Sequence, residues 1–341
     1  MTARTGRALT DLVAGLDPET GRPQGEVDRR ALADLASILS GGAPEPPPGA
    51  SPPPGASPAR RRRHLAVPVA AALAAVLLVL WPGGGPGGGG GTALAATPAP
   101  LTYLALPAGT DPRQLLTQLA ARTATLPDDT GTGRYAHLVS RDWNLSTSVE
   151  GRRVTSAVVP QLRESWIAPD GAGRVLTTVE RPGRSPRRED ERYRSGELSG
   201  SPDLRSLSAD DRVLAEQLER DHPVENGPAE RLVALKDTYR QVPVPPAVRA
   251  GLLRYLAATP TLTATGTVTD RAGRTGVAFS LDSDYSGLPT RYTLIVDPDT
   301  GKLLASEDTL TTRAGALNVA IPSVIGYTMH LAATYTDRIA S

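Results

Sequence analysis

The most apolar stretch of the chain, Leu65 to Trp81, reads LAVPVAAALAAVLLVLW and contains no charged side chain. As a helix it would be about 26 Å long, which is the short end of the thickness of a bilayer core. Nine of its residues are Leu or Val, and both side chains insert favourably into hydrocarbon. The pattern therefore predicts one transmembrane helix.

The charges around this stretch predict its orientation. Arg60, Arg61, Arg62 and Arg63 precede it directly, and the segment Pro82 to Thr102 that follows it carries no charge. Positive residues stay on the cytoplasmic side of a membrane, and a Trp such as Trp81 is typical of the interface. We therefore expect a single-pass protein of the cell membrane, with membrane lipid as a partner, a cytoplasmic N-terminus and an extracytoplasmic C-terminal domain.

Two alternatives to a membrane span remain. The stretch could be a buried helix of a soluble protein, although it has no polar face. It could also belong to a cleaved signal peptide, because Ala93-Leu94-Ala95 has the A-x-A pattern of a cleavage site. About 60 residues precede the apolar stretch, whereas the basic region of a signal peptide is far shorter. The membrane span is the favoured interpretation.

The pattern divides the chain into five parts. Residues 1–40 predict two short amphipathic helices, which are too small to bury a stable core and would need a cytoplasmic protein partner. The other parts are a Pro-rich linker at 41–59, the basic flank and membrane helix at 60–82, a Gly-rich linker at 83–100, and an extracytoplasmic domain at 101–341.

The periodicity of residues 101–341 alternates between helix and strand. Asp111-Pro112 is typical of a helix start, Ser208–Asp211 reads as a capping box, and charged residues 181–202 predict a long exposed loop. Helices are predicted to begin near 112, 208, 228 and 246; strands are predicted over 134–148, 153–167, 173–180, 261–269, 277–281, 291–296, 303–310 and 324–335. We expect an α+β fold: a mainly antiparallel curved sheet packed with several helices, preceded by the transmembrane helix and the helical cytoplasmic segment.

Composition and motifs limit the function. The net charge is only +1 and there are no cysteines, so nothing points to nucleic acid, disulfides or thiolate metal sites. The four histidines are isolated, and Asp297–Gly301 reads as a hairpin turn more readily than as a calcium loop. Asp282 and Asp284 are expected on a solvated face, and Trp143 and Trp166 in sheet packing. We predict no catalytic, metal or cofactor-binding residues, and no enzyme.

Several stretches resemble a family of uncharacterised actinobacterial single-pass membrane proteins with a β-rich extracytoplasmic domain. They are Arg163-Glu164-Ser165-Trp166, Pro245–Arg249, Gly266–Val277 and Leu294–Leu304. Such domains are similar in outline to the half-barrels of lipoprotein carriers, although this chain has no lipobox cysteine. The resemblance implies a curved sheet with an apolar concavity that holds a lipid chain.

These observations lead to two functional hypotheses. The first is a membrane-anchored extracytoplasmic binding module for a lipid or other apolar ligand. The second is an envelope signal-transducing regulator, similar to an anti-sigma factor, that acts through residues 1–40 on a cytoplasmic partner. An envelope enzyme is the least favoured alternative, since no catalytic motif is present.

Overall fold

The computed structural model describes residues 94–150, 153–181, 183–198 and 206–340. This part of the chain contains four α-helices and nine β-strands. The helices are α1 (Pro112–Thr123), α2 (Asp211–Asp221), α3 (Ala229–Gln241) and α4 (Pro246–Ala257). The strands are β1 (Tyr135–Glu150), β2 (Arg153–Ile167), β3 (Gly173–Arg181), β4 (Arg184–Tyr193), β5 (Thr263–Thr269), β6 (Thr275–Ser283), β7 (Thr290–Val296), β8 (Leu303–Leu310) and β9 (Ser323–Thr336).

All nine strands form one sheet, in the order β4-β3-β2-β1-β9-β8-β7-β6-β5, and every neighbouring pair is antiparallel. The sheet consists of two meanders, β1–β4 and β5–β9, and the pairing of β1 with β9 joins them. Helices α2, α3 and α4 lie in sequence between the two meanders.

The four helices cover one face of β5–β8. Alternate residues of these strands, such as Phe279, Leu294 and Leu303, lie in the same apolar cluster as Leu116 of α1 and Leu256 of α4. Side chains alternate between the two faces of a strand, so these residues define the helix-side face. We call β5–β8 the helix-covered half of the sheet.

The opposite face of this half is covered by an extended segment that we call the N-terminal strap, residues 94–106. Leu104 exchanges two backbone hydrogen bonds with Thr267 of β5, which protects an edge of the sheet. Leu101 and Tyr103 pack on a second apolar cluster that contains Ile295 and Tyr327. The helix-covered half is therefore packed on both faces.

The first meander is built differently, and we call β1–β4 the open half. None of its residues belongs to the cluster under the helices. Its helix-side face carries mainly polar side chains, because Asp142, Gln161, Arg163 and Thr177 share that face by their register. Among the described residues, no layer of helices packs on this face to bury it in a hydrophobic core.

The predicted fold class is wrong. The described residues form one nine-stranded antiparallel sheet with four helices, and those helices pack against only about half of it. None of them is long and apolar enough to cross a membrane. The fold class was predicted wrongly because one face of β1–β4 is mainly polar. Such residues still form strands, but they provide no apolar face against which helices can pack. The predicted membrane helix and the helices of residues 1–40 fall outside the described residues.

Two local predictions also need correction. The loop predicted at 181–202 contains strand β4, which pairs with β3 after a turn in which Gly183 has φ +69°. Its run of charges suits an edge strand, since charged edges resist pairing with other chains. The cap of α2 is Asp210 rather than Ser208: the Asp210 carboxylate accepts hydrogen bonds from the amides of Arg212 and Val213.

The remaining elements follow the predicted pattern closely. Helix α1 starts at Pro112 and is capped by Asp111, as the sequence suggested. The turn at Asp297–Gly301 is a hairpin in which the Asp297 carboxylate accepts from the amide of Asp299 and the hydroxyl of Thr300. Strand pairing begins earlier than predicted, because Ala95 in the expected linker already bonds to Asn318.

Candidate functional site

The boundary between the two halves of the sheet is polar. Helix α3 lies over it, and its Lys236 and Arg240 are one turn apart, so they project from the same side of the helix. The Nζ atom of Lys236 lies 2.6 Å from a carboxylate oxygen of Asp308 on β8. An Arg240 nitrogen lies 3.7 Å from Asp142 on β1. At this boundary, Lys236 and Arg240 therefore join α3 to the sheet through charges.

Asp142 is the buried anion of this boundary, with 1% of its side chain exposed. One carboxylate oxygen accepts a 2.7 Å hydrogen bond from the hydroxyl of Thr328, and the other accepts a 2.9 Å bond from Ser140. Thr328 also contacts Arg240 at 3.5 Å. A buried carboxylate needs such partners, and here they hold Asp142 and Arg240 in fixed positions.

Arg163 of β2 lies beside this pair and has a different environment. Its only side-chain hydrogen bond to a described residue is a 3.4 Å contact with Ser165, and no described carboxylate lies within 4.0 Å of it. Burial lowers the pKa of Arg163, as does the positive charge of Arg240, while Asp142, Tyr193 and Glu191 act in the opposite direction. The guanidinium stays charged, so this corner holds a cation without a close counter-ion among the described residues.

His330 of β9 faces the same boundary. Its Nε2 atom is shut off from solvent and has no hydrogen-bond partner among the described residues. Burial lowers the pKa of His330 to about 3, helped by the charges of Arg240, Arg274 and Lys236. At neutral pH the ring is therefore neutral, and Nε2 is an unpaired polar atom. Leaving such an atom unsatisfied costs about 1–3 kcal/mol.

A small cavity connects these groups. Its volume is about 10 Å³, which is room for about one water molecule and none for a lipid chain. Its walls are formed by β1, β2, β9 and the end of α3. The lining residues are Leu138, Val139, Ser140, Arg163, Tyr239, Arg240, His330 and Ala332. We call Arg163, Arg240, Asp142 and His330 the boundary site.

A second polar cluster lies within the helix layer. His222, which ends α2, places Nδ1 4.0 Å from Glu230 and Nε2 3.7 Å from Asp237, both on α3. Burial opposes the charge on His222, but the two carboxylates outweigh it and raise its pKa. Burial likewise opposes the charge on Glu230, and the contacts with His222 and Asn226 outweigh it and lower its pKa. The surroundings of His222 thus raise its pKa, whereas those of His330 lower its pKa.

The residues singled out from the sequence lie in several places. Arg60, Arg61, Arg62, Arg63, Leu65 and Trp81 fall outside the described residues, so the structure does not test them. Trp166 is buried and stacks on His137 with ring centres 4.9 Å apart, whereas Trp143 packs on Tyr327. The prediction of sheet packing for both Trp residues is confirmed.

The predicted solvation of Asp282 and Asp284 is confirmed, because both residues are exposed. Asp282 is half exposed and forms an ion pair with Arg291, and Asp284 lies beyond the end of β6. The three described histidines lie in separate places: His137 contacts Glu164, His222 contacts Glu230 and Asp237, and His330 lies at the boundary of the two halves. Within the described ranges, no three His, Asp or Glu side chains are grouped so that they could hold a metal ion.

Sequence reasoning did not identify the boundary site as a site. Its members come from β1, β2, α3 and β9, and they have no common motif. One signal was present in the strand alternation: Asp142 and Arg163 are charged residues at positions that register places on the face toward the helices. That face could be recognised only after the pairing of β1 with β9 was known.

Comparisons of this chain with protein-family models, with curated proteins and with solved structures gave no match. The resemblance to actinobacterial membrane proteins therefore stays a prediction, as does the localisation in the cell membrane.

Proposed function

We propose that the protein is a binding module whose ligand carries an anionic group held between Arg163 and Arg240. One observation carries the proposal: Arg163 is a cation in the sheet face beside a second arginine, and no described carboxylate pairs with it. Two positive charges close together repel each other, and among the described residues Asp142 lies within ion-pair distance of Arg240 but not of Arg163. A bound anion would remove this repulsion.

The geometry favours a binding role for the arginines. A guanidinium presents several N–H donors in one plane, which suits carboxylate and phosphate oxygens. Asp142, Ser140 and Thr328 already hold Arg240 from one side. The site would thus be ordered before the ligand arrives, and preorganisation favours affinity.

The other predicted roles stay predictions. A lipid or other apolar ligand gains no support from the boundary site, because charged and polar side chains such as Arg163, Arg240 and His330 line it. A regulatory role through residues 1–40 concerns a part of the chain outside the described residues. Attachment to the membrane would place the boundary site on the outer side of the cell, where small acids from the surroundings could reach it.

Calorimetric titration of the full chain with acetate, sulfate and inorganic phosphate at low ionic strength tests the proposal. We expect at least one of these anions to bind, and Arg163→Gln to weaken its binding about tenfold, which corresponds to one lost charge-assisted contact. The matched control is Arg188→Gln. It makes the same change in net charge on exposed β4, at a position whose register places it on the opposite face.

The two variants separate a site from general attraction. If both weaken binding equally, the anion is attracted by overall charge and the proposal is wrong. The same conclusion follows if none of the three anions binds.

A further inference from the structure

The exposed apolar side chains are concentrated at one end of the sheet. Of the eight large hydrophobic residues that are exposed in the described part of the chain, four lie at the end where β1, β6 and β8 finish and β2, β7 and β9 begin. They are between 36% and 58% exposed: Leu94, Val149, Tyr285 and Ile321. We call these four residues the apolar end.

Contacts between neighbouring segments join the apolar end into one surface. In the connection between β8 and β9, the amide of Asn318 donates a 3.4 Å hydrogen bond to Ser156 of β2, and its carbonyl accepts one of 2.8 Å from Ala95. The same connection reaches the turn between β6 and β7, where Arg313 contacts the carbonyl oxygen of Gly287 at 3.4 Å. The four exposed residues therefore belong to segments that touch one another.

The hairpin of β1 and β2 extends this surface beyond the rest of the sheet. Asn144 is the last residue of β1 that pairs with β9, so the residues after it pair with β2 alone. On one side of this arm, Leu145 is opposite Val158, and Val149 is opposite Val154. A two-stranded hairpin is marginally stable by itself, so an apolar side with Val149 half exposed at its tip suits a surface that rests on a partner.

The apolar end carries few charges. The connection between β8 and β9, residues 311–322, has one charged residue in twelve, Arg313, whereas seven of the ten residues of edge strand β4 are charged. A contiguous apolar patch on a protein surface marks a contact with a protein or a membrane. Tyr is enriched at membrane interfaces, and an arginine there is attracted to anionic lipid. The composition of the apolar end therefore suits a lipid surface.

The position of Leu94 supports the same partner. Residues 65–81 are predicted to cross a membrane, and twelve residues, 82–93, separate them from Leu94. Twelve residues span at most about 43 Å, so the predicted span would tie this end of the sheet to the bilayer.

We propose that the apolar end docks on the surface of the bilayer, with Val149 and Ile321 among the lipid headgroups. The inference rests on the predicted membrane span, and it goes beyond the anion-binding function without depending on it.

Fluorescent labels on single cysteines test the proposal, because the chain has no cysteine of its own. The full chain is reconstituted into vesicles of phosphatidylcholine and phosphatidylglycerol that contain a lipid with a spin label near its headgroup. Val149→Cys and Ile321→Cys place the label at the apolar end. The matched control is Ala272→Cys, in the exposed turn between β5 and β6 at the opposite end of the sheet.

We expect the spin-labelled lipid to quench the labels at Val149 and Ile321 at least about twofold more than the label at Ala272, because apolar groups at an interface lie about 5–10 Å into the headgroup region. Val149→Asp, combined with Ile321→Cys, should reduce the quenching, since a charged group is costly to remove from water. The labelled positions are exposed, and two of them report on the same surface, so the test does not depend on one variant.

Three outcomes would overturn the proposal. Equal quenching at all three positions would mean that lipid approaches the domain without preference for this end. Absence of quenching at Val149 and Ile321, while the protein stays in the vesicles, would leave the predicted span standing and remove the docking. A protein that sediments as a dimer in detergent, with the label at Val149 shielded from a water-soluble quencher, would show that a second copy covers this end. None of these outcomes involves Arg163, so the anion-binding function is tested separately.

Discussion

The two halves of the sheet have the same backbone architecture and opposite side-chain chemistry. In the helix-covered half, alternate residues are Val, Leu and Phe, and the helices and the N-terminal strap exclude water from both faces. In the open half, the corresponding positions on the helix-side face are mostly Ser, Thr, Asp, Gln and Arg. The same backbone hydrogen bonds thus build a core in one half and a polar surface in the other.

The difference shows where stability and binding are located. Burial of apolar area stabilises the helix-covered half, because the free energy gained is roughly proportional to the area removed from water. The open half gains less in this way and keeps charged groups available to a ligand. The boundary site lies where the two halves meet, so its polar groups are held between the packed half and the open half.

The largest expected effect comes from truncating the core of the helix-covered half. Phe279 is fully buried under the helices, and Phe279→Ala should reduce the free energy of unfolding by about 3–5 kcal/mol, because it leaves a cavity. Urea-induced unfolding of the full chain, with an unchanged slope, measures this loss.

A matched pair of Val→Ala substitutions, one in each half of the sheet, tests the same difference in burial. Val296 is buried in the helix-covered half, and Val159 is partly exposed in the open half. Val296→Ala should cost about 2 kcal/mol, whereas Val159→Ala should cost under about 1 kcal/mol, since less area leaves water. Equal losses would show that the open half is buried as deeply as the other.

The next largest effect on the free energy of unfolding is expected for Arg249, whose role contrasts with that of Arg163. Arg249 of α4 is 1% exposed; it contacts Asp129 at 2.7 Å and donates to the carbonyl oxygens of Val244 and Thr300. Arg249→Gln should therefore cost about 2–4 kcal/mol, because buried acceptors lose their donor.

Arg163→Gln is the comparison for this effect, since Arg163 lacks a close carboxylate among the described residues. We expect it not to lower the free energy of unfolding, because it removes a buried charge that lies beside the positive charge of Arg240. A large loss of stability in this variant would give Arg163 a structural role and remove the argument for ligand binding.

The smallest effect is a difference in pH dependence between two histidines. His330 has a lowered pKa of about 3, so its contribution to stability is full above about pH 6.5, the pKa of the unfolded chain, and is lost as the pH falls toward 3. His222 has a raised pKa, so its contribution is full below about pH 6.5 and is lost as the pH rises through the higher pKa of the folded state.

Unfolding midpoints at pH 5.5 and pH 8 test both signs. His330→Phe should reduce the loss of stability at the acidic pH, whereas His222→Gln should destabilise the protein more at the acidic pH than at the alkaline pH. The same change in pH dependence in both variants would contradict the opposite environments assigned to the two rings.

Local sequence patterns predicted much of the fold and little of the site. The cap at Asp111, the hairpin turn at Asp297–Gly301 and most strand bounds depend on neighbouring residues, so they could be read directly. Strand β4 was missed because its charges are typical of loops, and only its pairing with β3 stabilises it. The extent of the helix layer was also misjudged, since helical periodicity does not show which strands a helix will cover.

The sequence alone determined the kind and order of the elements, because capping, turn formation and alternation act over a few residues. Tertiary structure alone decided which elements meet. Asp142 and Thr328 are 186 residues apart, yet they share a 2.7 Å hydrogen bond because β1 pairs with β9. Pairing at such separation depends on the packing of the whole chain, so the boundary site emerges only in the folded sheet.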